Sequence, residues 1–66
     1  MTDDLRKAAL RVTHLQQIYD AKDLETTKVD FMQEHGARWL ERRNEIMGRI
    51  IAMRTEAIWA LARAIA

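Results

Sequence analysis

The 66-residue chain has no cysteine, no proline and no serine, and only two glycines. Without cysteine there is neither a disulfide framework nor a thiolate zinc site. The loss of both cysteine and serine also removes the two commonest catalytic nucleophiles. With no proline and little glycine, few positions break a helix, whereas Ala, Leu, Glu, Arg and Met, all strong helix formers, are abundant. No stretch alternates apolar and polar residues over a useful length, so no strand is expected. Charge of one sign is lacking too: the formal net charge is +1, with 32% charged residues of both kinds. A polybasic tail is therefore excluded, and 48% hydrophobic residues exclude a disordered chain.

What remains is the raw material of one small all-α domain spanning residues 1–66. At 100° per residue, Leu5, Ala8, Ala9, Val12, Leu15 and Tyr19 share a face, with Ile18 on its flank. This predicts a first helix over about 2–22, with Thr2 as N-cap and Asp3 and Asp4 at the positive end of the dipole. The period lapses after Asp20, which places a turn at about 23–26. Thr27 and Asp30 resemble a weakened capping box opening a second helix over about 27–65. Its apolar side holds Val29, Met32, Gly36, Trp39, Leu40, Met47 and the isoleucines beyond, a face about 160° wide where one neighbour needs only ~100°. Glu34–Arg38 and Glu45–Arg49 are the expected i,i+4 ion pairs on the opposite side. Gly36 and Gly48 are the only breakers in this stretch, and neither is followed by a convincing cap, so a continuous helix is the expectation.

Those lengths predict an antiparallel hairpin with unequal arms. At 1.5 Å per residue the arms span ~30 Å and ~57 Å, so residues 50–66 overhang by ~24 Å. Leaving that overhang bare forfeits on the order of 10 kcal/mol. A homodimeric helical bundle follows, with an oligomer interface of Ile46, Ile50, Ile51, Met53, Arg54, Ala57, Ile58, Leu61 and Ile65. Arg43 and Arg54 interrupt the apolar face: Arg43 is expected to snorkel or reach Asp3 or Asp4, and Arg54 to find a carboxylate on another chain. In outline such a dimer is similar to the Rop type of hairpin, which binds RNA. The likeness is one of architecture, and no site residue follows from it.

Little catalytic chemistry is in view. His14 and His35 lie on different helices without a His-Glu-x-x-His spacing, and Asp20, Asp23 and Asp30 lack the order of a calcium loop. No enzymatic activity, metal or cofactor is expected. A helix-turn-helix fails in both registers, because charged or bulky residues fall at its small and buried positions whether Gly36 or Gly48 takes the turn. Residues 46–66 hold Arg49, Arg54, Glu56 and Arg63, each costly at a bilayer centre, so no membrane span is expected. The opening Met-Thr-Asp-Asp lacks the layout of a secretory signal, and the expected location is cytoplasmic.

Two apolar residues point away from the expected packing faces: Trp59, opposite the apolar side of the second helix, and Leu10 on the first. Trp is enriched at binding hot spots. The leading expectation is a small non-enzymatic regulatory or adaptor protein that homodimerises and binds a larger protein, with Trp59 and Leu10 as partner-binding candidates. The first alternative is a dimeric nucleic-acid binder using Arg38, Arg42 and Arg49. Residues 35–66 carry six basic and three acidic groups against five and seven in residues 1–34, which gives that face a modest positive excess. The second alternative is a small helical subunit of a hetero-assembly.

Overall fold

The computed structural model describes residues 2–66, apart from the side chain of Thr2, so the expected N-cap lies outside the described residues. The chain is all helical and folds as a hairpin with a bent elbow: α1 (Thr2–Glu25), α2 (Val29–His35), a 3-10 turn (Gly36–Arg38) and α3 (Trp39–Ile65).

The first helix follows from its spacing. Leu5, Ala8, Val12, Leu15 and Tyr19 recur at alternating steps of three and four, which keeps one stripe facing a single neighbour. It runs to Glu25, three residues past the expected end, and two threonines stop it. The Thr26 hydroxyl donates to the carbonyls of Lys22 at 2.7 Å and Asp23 at 3.3 Å, and that of Thr27 to Asp23 at 3.1 Å and Leu24 at 3.0 Å. These carbonyls are among the last of α1, which have no partner within the helix. The threonines thus close α1 and do not open α2. The capping box expected at Thr27 is absent: Lys28 holds the N-cap position, extended and without a side-chain cap bond.

The expected continuous second helix is corrected by the structure, which interrupts it at Gly36. There φ is +58° and ψ −136°, a backbone conformation open to glycine and costly for any L side chain. The Gly36 N–H still bonds the Met32 carbonyl, and the Gly36 carbonyl accepts from Trp39 N–H, so the break leaves both groups paired. No side chain caps either end, which is why the break leaves no N-cap signature. The reset phase also turns Phe31 inward, where it is buried, and leaves Val29 exposed, the reverse of a continuous helical face.

The elbow, residues 26–38, takes up chain that a direct hairpin would have spent on α3, and so resets the register. Arg43 hydrogen-bonds Asp23 near the elbow. Farther along, the Arg54 guanidinium donates to Gln16 Oε1 at 2.9 Å and lies 4.7 Å from the Tyr19 ring centroid. An equal number of residues separates Arg54 from Ile65 and Gln16 from Leu5, so the end of α3 is level with the start of α1. The overhang expected for residues 50–66 does not exist, and the argument from bare length for a dimer goes with it. Neither arginine finds the expected partner: Arg43 takes Asp23, not Asp3 or Asp4, and Arg54 is held within its own chain.

Leu15, Met47, Ile50 and Ala57 are buried between the arms, and Phe31 is buried at the elbow. The result is one layer of helices, with Cα extents of 48 × 15 × 9 Å.

Candidate interaction surface

Around α3 the side chains fall into three sectors at 100° per residue. The inner sector, facing α1, holds Arg43, Met47, Ile50, Arg54, Ala57 and Leu61, all buried or half-buried. A charged sector follows, with Arg42, Glu45, Arg49, Glu56 and Arg63. The third is an outer sector that carries no charge from Asn44 onwards: Asn44, Gly48, Ile51, Ala52, Thr55, Ile58, Trp59 and Ala62, with Ile65 at its inner edge, about five turns after Met47 at the end of α3, every one exposed. Its bulkiest members are Ile51 (41% exposed), Ile58 (48%), Trp59 (62%) and Ile65 (69%). This is the apolar surface from which a candidate contact site is built.

The residues expected at an oligomer interface divide between these sectors. Ile50 and Ala57 are buried within the hairpin and Arg54 is engaged by Gln16 and Tyr19, so these three serve the chain's own packing, a correction to their expected role between chains. Ile46 and Leu61 are half-buried at the margin. Ile51, Ile58 and Ile65 are exposed on the outer sector, and Met53 is exposed on the opposite flank. The single wide face expected for the second helix is therefore two stripes, one turned to α1 and one to solvent. The signal that separates them is the recurrence of isoleucine at 51, 58 and 65, four residues after Met47, Arg54 and Leu61, the inward positions. Trp59 lies on the outer sector as well, beside Ile58. Leu10 is also exposed, on the far side of α1 from α3, with no other large apolar residue within two turns of it on that side until Leu24.

The arginine face is largely self-compensated. Arg38 bonds Glu41 through two nitrogens at 3.3 Å, and Arg42 bonds Glu45 at 2.8 Å. These i,i+3 pairs replace the expected Glu34–Arg38 and Glu45–Arg49 pairs, neither of which is among the ion pairs of the described residues. Glu34, His35, Arg38, Glu41, Arg42 and Glu45 line an open cleft of about 350 Å³ at the elbow. His35 stacks on Phe31 with ring centroids 4.4 Å apart, which gives it a packing role at the elbow. Among the described residues no group of His, Asp and Glu is arranged to hold a metal ion, and no helix is long and apolar enough to cross a membrane.

Compared with family models, curated proteins and solved structures, the chain matches none.

Proposed function

We propose that this is a non-enzymatic interaction protein: a helical adaptor or regulator that homodimerises, docks through the outer sector of α3 and acts on a larger protein by binding. One observation carries the reading. The chain exposes 5228 Å², where a compact monomer of 7.7 kDa exposes about 4,300 Å². The surplus, roughly 900 Å², is close to the ~800 Å² that each partner contributes to a standard interface. Much of the exposed apolar part lies on α3, with Ile51, Ile58, Trp59 and Ile65.

The nucleic-acid reading is weaker because two of its three guanidiniums, Arg38 and Arg42, already face carboxylates one turn away. Neutralising phosphates with them requires breaking those pairs first.

The test is a photo-crosslinking amino acid placed at position 58, on the outer sector, or at position 49, on the charged sector, in cells producing the chain. Adducts at 58, absent at 49, at the mass of two chains support the homodimer, and adducts at the mass of one or two chains plus a larger protein support the action on a partner. No adduct at 58, or the same adducts at both positions, overturns it.

A further inference from the structure

We infer that a second copy of this chain occupies the outer sector of α3, packed antiparallel about a two-fold axis close to Thr55. This rests on the reading that the sector docks, and it names the occupant and the geometry.

Charge supplies the first argument. Glu45 and Arg63 stand on the same border of the uncharged sector, and both lie on the α3 side facing away from α1. A two-fold axis midway between them brings Glu45 of each copy against Arg63 of the other, twice. A parallel pair would instead put the two copies of this border on opposite sides of the seam and leave Glu45 and Arg63 eighteen residues apart along it, so neither charge would meet its opposite. Arg63 makes no ion pair among the described residues, and Glu45, though held by Arg42 through Oε2 at 2.8 Å, keeps Oε1 for a second guanidinium.

Shape supplies the second. Almost the same midpoint exchanges Ile51 with Ile58, so each packs on the other across the axis. It also sets Trp59 of one copy between Gly48 and Ala52 of the other, a bulky ring over two small residues. Nothing in the hairpin calls for glycine at 48, because a Cβ there would meet no atom within 4 Å. In a lone helix that glycine is a cost without a return. In the antiparallel pair it is the seat for the indole.

Area supplies the third. The exposed parts of Ile51, Ile58, Trp59 and Ile65, with the small residues between them, amount to roughly 600 Å² per copy. Complete coverage on both copies would bury ~1,200 Å², an upper bound that leaves room for the ~1,000 Å² a specific interface needs. Symmetry closes the assembly at two, and α1 of each copy stays on the outside.

Sedimentation equilibrium of the purified chain from 1 to 200 µM measures the association, with circular dichroism as the control for folding. The native chain is expected to be a dimer by tens of micromolar. Ile58→Glu is expected to weaken it at least ~100-fold with helix content unchanged, since residue 58 is half exposed within the hairpin. Gly48→Leu is expected to raise helix content yet weaken the dimer at least ~10-fold. Glu45→Arg is expected to weaken it several-fold, and Glu45→Arg/Arg63→Glu to restore it. Orientation is read separately by oxidising Ile51→Cys and Ile58→Cys chains, each alone and then mixed; the native chain has no cysteine to interfere. Cross-linking only in the mixture supports the antiparallel pair. Cross-linking of either variant with itself, a monomer throughout the concentration range, or no recovery in the charge swap overturns it. If the chain is monomeric while position 58 still captures another protein, this inference fails and the docking reading stands.

Discussion

Substituting Gly36 decides whether the elbow or a straight second helix describes this chain, because the two give effects of opposite sign. In a straight helix Gly36→Ala removes a poor helix former and stabilises by about 0.8–1 kcal/mol. At φ +58°, ψ −136° an L-alanine occupies a region that costs on the order of 1–3 kcal/mol. Since a Cβ at Gly36 meets nothing within 4 Å, no packing gain or clash masks that backbone term. A single core in a chain this short supplies roughly 3–5 kcal/mol, so the loss is a large share of the total. At about 4–8 °C per kcal/mol, the Tm should fall by roughly 5–20 °C. The assay is urea and thermal unfolding followed by helical circular dichroism, at one fixed protein concentration so that any association contributes equally. A 66-residue chain is within reach of chemical synthesis, which permits the complementary substitution Gly36→D-alanine. A D residue at these angles is the mirror image of an L residue in ordinary extended backbone, and it restricts the unfolded chain. It should therefore leave the fold intact and add about 0.4–1 kcal/mol. An L-alanine variant as stable as the native chain, or more so, refutes the elbow and brings back the unequal arms.

Three further outcomes follow from the packing. Thr26 is 1% exposed and its hydroxyl bonds the Lys22 carbonyl at 2.7 Å, so Thr26→Val, which keeps the shape, should cost about 1 kcal/mol in urea unfolding; the exposed Thr27→Val should cost only a few tenths. Arg54→Met should leave the oligomeric state unchanged in sedimentation and cost about 1 kcal/mol, since it removes an intrachain hydrogen bond and the contact with Tyr19. A change of oligomeric state there would place Arg54 between chains after all. For the Arg43–Asp23 pair, with side chains 22% and 47% exposed, a double-mutant cycle of Arg43→Met and Asp23→Asn should give a coupling of about 0.5–1.5 kcal/mol; no coupling would refute the register at the elbow.

How far the sequence could be read depended on whether a feature leaves a local mark. The stripe Leu5, Ala8, Val12, Leu15, Tyr19 and the absence of breakers marked the first arm and the all-helical hairpin. The elbow left almost none. Its one requirement is the backbone of Gly36, and a glycine inside a helical pattern reads equally as a tolerated residue. Threonine also serves either end of a helix, so Thr26 and Thr27 were legible as a boundary but not as the close of α1. Those two ambiguities set the register, and everything nonlocal inherited the error. The partner of Arg43, the partner of Arg54 and the supposed overhang all depend on which residues stand level across the hairpin. Trp59 escaped, because its position outside the packing stripe depends only on the phase of α3, which no break interrupts.

The elbow weakens one argument for assembly and strengthens another. With arms of matched length the hairpin has no bare tip, but it is a single layer in which each arm has one neighbour. Its radius of gyration is 15.1 Å, where a compact chain of this length has about 11 Å. A helix with one neighbour needs one apolar stripe, and α1 comes close to that economy: among its described residues the large apolar ones away from α3 are Leu10 and Leu24. The other arm does not. It exposes isoleucines at 51, 58 and 65 along a strip bordered by Trp59 and free of charge from Asn44 onwards. Stacking a second layer on the outside of α1 would cover Leu10 and Leu24, whereas stacking it on α3 covers Ile51, Ile58 and Trp59 together. The asymmetry between the two arms is the reason the proposed docking is assigned to α3 and not to α1.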